Sequence, residues 1–167
     1  MAATRPRLVI SYNYDYIIPQ SVIQIANANM INLHISYLPW NRGFSPNIWS
    51  FIDDTPKGVT IHELTAGLDR GDIIVQQEME FEVNKETLVS TYDALNKAIS
   101  ELLKNNWDSI WNGSYTSIPQ GGEGTYHSMR DLDELRSRIK FSWNDNVSSF
   151  LERYWKTVST CTALNQL

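Results

Sequence analysis

The sequence has little cysteine, no long apolar run and no dense basic segment. Cys161 is the single cysteine of 167 residues, which excludes an internal disulfide and a cysteine-based metal site within the chain. No window reaches the roughly 20 apolar residues of a membrane span, and residues 1–7 lack the apolar core of a signal peptide. The net charge is −5, without a Lys/Arg stripe that could follow phosphates. We therefore expect a cytoplasmic protein that binds neither nucleic acid nor a membrane.

What the sequence does contain is typical of a globular protein. Apolar residues make up 42% of the chain, and six Trp and eight Tyr are available to fill a core. The length favours one compact domain. With three His and no acidic cluster at ligand spacing, we expect no metal site.

The order of apolar runs predicts an α/β fold. A strand over residues 7–13, a short helix over 20–28 and a strand over 30–35 form the pattern of a parallel βαβ crossover. Two further strands, 58–64 and 72–78, are joined by a loop whose two glycines permit a tight reversal. Helical spacing then indicates a long helix over 87–111, with Asn84 as its cap and Gly113 as its stop. Residues 114–128 should be irregular, and further helices are expected over 131–138 and 147–158.

Asn32 and His34 stand two residues apart at the end of the second strand, so their side chains share one face. The carboxyl end of such a strand is where open α/β sheets bind ligands. An amide donor near a carbonyl oxygen stabilises the negative charge that develops there during nucleophilic attack. The imidazole can accept a proton from an attacking amine.

A histidine in that role benefits from a carboxylate that orients it, and the loop between the later strands supplies Asp69 and Asp72. A histidine at a strand end can equally be a structural hydrogen-bonding residue. His62 is expected to be a packed or hydrogen-bonded core residue, and no catalytic role is assigned to His127. Trp40 and Trp49 could stack on a base or sugar, although aromatic residues after a strand usually belong to the core.

The segments 32–43, 58–62 and 67–74 together closely resemble the formyltransferase family that uses 10-formyltetrahydrofolate. They read Asn-Leu-His-Ile-Ser-Tyr-Leu-Pro-Trp-Asn-Arg-Gly, Gly-Val-Thr-Ile-His and Gly-Leu-Asp-Arg-Gly-Asp-Ile-Ile. The resemblance runs from about Leu8 to Trp111 and rests on several separated motifs in the same order. It implies a Rossmann-like fold with a mostly parallel sheet flanked by helices and followed by a C-terminal helical extension.

The resemblance also implies roles for individual residues. Asn32 and His34 would stabilise the oxyanion, His34 would act as base, and Asp69 would hold His34 and manage its proton. Asp72 matches a more variable, structural position. The folate would bind between two loops, on Tyr14, Asp15 and Ile17 from one and on Ala66, Gly67 and Leu68 from the other.

Within the family, segments 40–49, 55–58 and 121–127 look most like the enzymes that formylate the amino group of a nucleotide-linked sugar, on a dTDP or UDP carrier. The implied domain organisation is the C-terminal half of a catalytic core over 1–112 and a loop and helical extension over 113–167. Family members carry a further Rossmann-like half before the segment that matches Leu8. A first strand without those neighbours leaves an exposed edge, from which we expect a homodimer.

Three interpretations follow from this resemblance. The chain is a sugar N-formyltransferase, a non-catalytic folate- or sugar-binding module, or a truncated homologue without activity or ligand. Its identity as a fragment or as a natural short form stays open at this point.

Overall fold

The computed structural model describes residues 6–14, 16–26 and 28–164. The strands are β1 (Leu8–Tyr12), β2 (Asn29–His34), β3 (Arg42–Gly43), β4 (Lys57–Glu63), β5 (Ile73–Met79) and β6 (Tyr126–His127). The helices are α1 (Gln20–Ala26), α2 (Pro46–Ile52), α3 (Leu88–Asn105), α4 (Trp107–Asn112), α5 (Met129–Arg138) and α6 (Val147–Leu164). The α/β class with flanking helices and a helical C-terminal part is confirmed. Among the described residues, no helix is both long and apolar enough to cross a membrane.

The main sheet has the strand order β1-β2-β4-β5. β1 and β2 are parallel, as the βαβ pattern predicts, but β4 is antiparallel to β2 and β5 is antiparallel to β4. The expectation of a mostly parallel sheet is therefore corrected to a mixed sheet. The segment between β2 and β4 contains the two-residue strand β3 and the short helix α2, and β4 and β5 form a hairpin, so neither connection makes a parallel crossover.

Helix α3 covers one face of the sheet, with Leu95 and Ile99 almost completely buried against β2 and β4. Burying each such side chain contributes about 1.5–3 kcal/mol. The N-cap is Thr87 and not Asn84, because the Thr87 hydroxyl accepts from the Ser90 N–H at 3.1 Å. The Ser90 hydroxyl in turn accepts from the Thr87 N–H at 2.9 Å, which completes a capping box.

The long helix expected over 87–111 is two helices. The Asn106 side chain donates to the carbonyl of Leu102 at 2.8 Å, and Asn106 ends α3 and precedes α4. Gly113 then stops α4 with φ 66°, as the sequence predicts.

A second core lies between α2 and the C-terminal helices. Its buried residues include Ile48 and Phe51 of α2, Leu132 of α5 and Phe150 of α6. The C-terminal part thus packs directly on α2, which follows the strand end of Asn32 and His34 in the chain.

Residues 118–127, called the strap below, run from β5 to β3. Ile118 pairs with Ile73 through two backbone hydrogen bonds of 2.8 and 2.9 Å. At the other end, β6 pairs in parallel with β3. The expectation of irregular structure over 114–128 therefore holds apart from these short pairings. The residues that form them show no apolar periodicity in the sequence, so the pairings could not be predicted.

Candidate functional site

Asn32 and His34 lie at the carboxyl end of β2, beside the antiparallel strand β4. Asn32 is opposite His62 and His34 is opposite Thr60 in the register of the two strands. Because alternate residues share a face, the side chains of Asn32, His34 and His62 are brought to the same side of the sheet. Sequence periodicity alone predicts that Asn32 and His34 share a face, and the strand pairing adds His62.

Asp69 reaches these residues from the loop between β4 and β5. Its backbone adopts the left-handed conformation with φ 51°, which is uncommon for a residue other than glycine. The loop closes tightly at Gly71, where an added Cβ would lie 1.7 Å from the Glu63 carbonyl oxygen. The tight reversal thus depends on Gly71 for space, whereas the positive φ falls on Asp69 itself.

The Asp69 carboxylate is buried, with 7% of its surface exposed, and both of its oxygens are engaged. Oδ1 accepts from Asn32 Nδ2 at 3.0 Å, and Oδ2 accepts from the Gly43 N–H at 2.9 Å. Burial alone would raise the pKa of Asp69. The charge of His34, the hydrogen bonds from His62 and Gly43, and the charge of His62 outweigh it and lower the pKa to about 2. Asp69 is therefore a buried anion at neutral pH.

His34 has an oxygen acceptor near each ring nitrogen. Its Nε2 lies 3.0 Å from the carbonyl oxygen of Asn41, which can only accept, so Nε2 carries a proton. Its Nδ1 lies 3.6 Å from Asp69 Oδ1, which is beyond a direct hydrogen bond. In the neutral ring Nδ1 is thus free to accept a proton, and the imidazolium that results would be stabilised by Asp69.

His62 is the residue of this cluster that sequence analysis did not assign to the site. It is 2% exposed and its Nδ1 donates to the Glu63 carbonyl at 2.7 Å, as expected for a hydrogen-bonded core residue. Its Nε2, however, lies 3.2 Å from Asn32 Nδ2 and 3.5 Å from Asp69 Oδ1. Neutral His62 accepts from Asn32, and protonated His62 donates to Asp69. The available signal was its alternation with Thr60 on a strand, which is informative only once β4 is known to pair with β2.

These side chains line a cavity of about 450 Å³. Eight of the nine residues assigned to the site from sequence line it: Asn32, His34, Asp69, Tyr14, Ile17, Ala66, Gly67 and Leu68. The ninth, Asp15, lies outside the described residues. Residues of the loop after β1 and of the loop between β4 and β5 thus line the same cavity as the polar cluster.

Two aromatic side chains add a wall that the sequence did not indicate. Tyr92 of α3 and Trp143 of the loop before α6 both line the cavity, with ring centroids 5.4 Å apart and planes tilted by 57°. Trp143 is 39% exposed. No sequence signal connects a residue so far along the chain to Asn32.

The other candidate residues, Trp49, His127 and Asp72, make packing and hydrogen-bond contacts typical of structural residues. Trp49 is buried and its indole stacks on His127 at a centroid distance of 4.0 Å. His127 also pairs with Asp53, with 2.7 Å between Nε2 and Oδ2. The Asp72 carbonyl accepts from the Glu63 N–H at 2.9 Å, which closes the β4–β5 loop. Within the described ranges, no group of three or more His, Cys, Asp or Glu side chains is arranged to hold a metal ion.

Comparison with known proteins identifies the family of this chain. A family model described as formyl transferase matches residues 1–106. The dTDP-4-amino-4,6-dideoxyglucose formyltransferase of Mycobacterium tuberculosis is 34% identical over 146 residues, which are 87% of this chain and 61% of that protein. The chain thus spans about three fifths of the length of this curated relative.

Solved structures show the same likeness. The formyltransferase PseJ from Anoxybacillus kamchatkensis, in complex with UDP-4,6-dideoxy-4-formamido-L-AltNAc and tetrahydrofolate, is 43% identical with a TM-score of 0.79, covering 85% of this chain and 75% of that one. An N-formyltransferase from Helicobacter canadensis, with folinic acid and dTDP-3-aminofucose, is 25% identical with a TM-score of 0.67, covering 80% and 48%. Since the family model matches well over half of the residues of this chain, the chain belongs to the formyl transferase family.

Proposed function

We propose that this protein transfers a formyl group from 10-formyltetrahydrofolate to the amino group of a nucleotide-linked sugar. The observation that carries the proposal is the convergence of Asn32, His34 and Asp69 on one wall of the cavity. Relatives that act on dTDP- or UDP-linked amino sugars, and a relative bound to tetrahydrofolate, support the choice of donor and acceptor.

In the proposed reaction the acceptor amine attacks the formyl carbon. A C–N bond forms to the acceptor, the bond from the formyl carbon to N10 of the folate breaks, the amine loses a proton and N10 gains one. His34 Nδ1 takes the amine proton, because Nε2 is committed to Asn41, and Asp69 stabilises the imidazolium from 3.6 Å. The proton then passes to N10 of the leaving folate.

Asn32 would stabilise the oxyanion of the tetrahedral intermediate. Both hydrogens of its amide face acceptors in this structure, Asp69 at 3.0 Å and His62 at 3.2 Å. Protonated His62 no longer accepts, so this state of His62 would release one Asn32 hydrogen to the oxyanion. The proposal therefore gives His62 a supporting role at the site.

We assign the two ends of the cavity to the two substrates. The folate would bind between Tyr14 and Ile17 on one side and residues 66–68 on the other, with Asp15 as a further candidate. The acceptor would approach from the wall of Tyr92 and Trp143, whose rings offer flat surfaces for a base or sugar. In this assignment residues 1–112 form the catalytic core, and residues 113–167 form an extension that supports it.

The proposal includes a homodimer in the cytoplasm. β1 lies at the edge of the described sheet, and Ile10 on this strand is 36% exposed. A second copy that pairs with this edge would cover the backbone groups that have no strand partner in the described part of the sheet. The single cysteine suits a reducing compartment.

The alternative is a binding module without turnover. It is favoured by the exposed rings of Tyr14 and Tyr16, which line the cavity and offer stacking surfaces that could hold a ligand without a reaction. A panel of dTDP- and UDP-linked amino sugars, incubated with 10-formyltetrahydrofolate and followed by mass spectrometry, separates the two. Formylated product supports the enzyme, whereas calorimetric folate binding without product from any acceptor supports the module.

A further inference from the structure

The strap contacts the loop that carries Asp69 and is fixed at both ends. Beyond the Ile118 pairing with Ile73, the Arg42 N–H donates to the Thr125 carbonyl at 3.0 Å and the Phe44 N–H donates to the His127 carbonyl at 2.9 Å. The strap follows the 1–106 segment that the family model matches. It is nevertheless held against the turn that contributes the Asn41 carbonyl and the Gly43 N–H to the site.

Gln120, the third residue of the strap, forms hydrogen bonds through both the NH₂ group and the oxygen of its side-chain amide. Its Nε2 donates to the carbonyl oxygens of Asp69 and Gly71, each at 2.8 Å. Its Oε1 accepts from Arg42 Nε at 2.9 Å and from Arg42 Nη2 at 2.7 Å. All the polar atoms of this side chain are thus engaged.

Arg42 fixes which way the Gln120 amide faces. Arg42 is 5% exposed, and its guanidinium donates through Nη1 to the Glu123 carbonyl at 2.9 Å. Because a guanidinium only donates, it requires the amide oxygen on its side, which directs the NH₂ group to the loop carbonyls. The orientation of the Gln120 amide is therefore set by the two Arg42 donors that its oxygen accepts from.

The loop needs such external support. Asp69 holds a left-handed backbone conformation, which costs of the order of 1 kcal/mol or more for a side chain of this kind and persists only where surrounding contacts determine it. Its carbonyl contact with Gln120 anchors its backbone, and its carboxylate contact with Gly43 anchors its side chain. Loss of one anchor would let the carboxylate move relative to His34.

We propose that Gln120 is a positioning residue for Asp69 and that Arg42 sets its orientation, so that the strap aligns the carboxylate with His34. The expected effect on kcat rests on the proposed formyl transfer. The alignment of the Asp69 carboxylate with His34 does not depend on turnover. A purely structural role, in which Gln120 only attaches the strap through Arg42, is the competing explanation.

Two variants separate these explanations. Gln120→Met keeps the length of the side chain and removes both sets of hydrogen bonds. Gln120→Glu keeps and strengthens the contact with Arg42 but places an acceptor oxygen against the carbonyls of Asp69 and Gly71. Ser117→Ala is the matched control, because the Ser117 hydroxyl also joins the adjoining segment to β4, at 2.8 Å from Glu63 Oε1, without touching the loop.

We expect kcat to fall about 10- to 100-fold in both Gln120 variants, since small misplacements of a catalytic group have effects of this size. KM for the folate should stay within about twofold, and the Ser117 control should match the parent chain. If Gln120→Glu retains full kcat, attachment to Arg42 is sufficient and the positioning role is refuted.

The second readout is the carboxyl titration of Asp69, followed by carbon-detected NMR on the full chain. In Gln120→Met the pKa of Asp69 should rise above its value of about 2, because the carboxylate moves away from His34. Ser117→Ala should leave it unchanged. An unchanged pKa in Gln120→Met overturns the positioning claim, whether or not the chain turns over. Absence of turnover in the parent chain overturns the proposed function alone.

Discussion

Replacing Asp69 with Asn tests the electrostatic account of the site. The pKa of Asp69 is lowered from 3.8 to about 2, so the folded state favours the ionised carboxylate by about 2 kcal/mol at pH 7. The neutral Asn also has a single oxygen, whereas Asp69 accepts on both. In either orientation of the introduced amide, its NH₂ group faces one of the two donors, Asn32 Nδ2 or the Gly43 N–H. We therefore expect Asp69→Asn to lower the free energy of unfolding by about 2–3 kcal/mol at pH 7.

The pH dependence follows from the sign of the shift. Because the folded pKa lies below the unfolded one, the stabilisation is complete above about pH 4 and is lost as the pH falls towards about 2. At pH 3 the electrostatic part should be about half its value at pH 7. Urea unfolding of the parent chain and of Asp69→Asn at pH 7 and pH 3 measures this difference.

Asp72→Asn is the matched control, since it makes the same chemical change three residues away in the same loop. Asp72 is half-buried, and its backbone carbonyl makes the contact that closes the loop. We expect a change below about 0.5 kcal/mol, typical of a substitution away from a buried network. An equal loss in both variants, or a loss for Asp69→Asn that does not shrink at pH 3, would refute the reasoning.

The other predictions concern binding, supporting residues and assembly. His62→Gln, which keeps a polar group beside Asn32, should lower kcat by about tenfold and leave folate affinity by calorimetry within twofold; an unchanged kcat would remove His62 from the site. Trp143→Ala should raise KM for the acceptor about tenfold with KM for the folate unchanged, in steady-state assays that vary each substrate in turn. Ile10→Lys on β1 should shift sedimentation from dimer to monomer, and a monomeric parent chain would contradict the proposed dimer.

Sequence reasoning succeeded where side-chain alternation or helical spacing was sufficient. Asn32 and His34 share a face because they are two residues apart on a strand, and the loop residues 66–69 reach the cavity because the hairpin brings them back to that strand end. The βαβ unit and the helix α6 follow from the pattern of apolar residues, and α5 lies where a further helix was expected. The family resemblance supplied the pairing of these residues with the loop aspartate.

Sequence reasoning failed where strand direction or distant contacts decide the structure. The position of His62 at the site requires the antiparallel pairing of β4 with β2, which apolar runs do not specify. Gln120 reaches the Asp69 loop through its side-chain amide, and Trp143 reaches the cavity through its ring, both from segments without periodicity. The cap of α3 was misplaced because Asn84 and Thr87 are both acceptable cap residues, and backbone geometry selects Thr87.

The central claim is formyl transfer by Asn32 and His34, and it is tested most directly with a ¹³C-labelled formyl donor. The parent chain, Asn32→Ala and His34→Ala would each be incubated with [¹³C-formyl]-10-formyltetrahydrofolate and an acceptor amino sugar nucleotide. Circular dichroism would establish that each is folded. The account predicts ¹³C-formamide product with the parent chain and a loss of about 100-fold or more in each variant. Product formed equally by all three, or by none while the folate still binds, would contradict it.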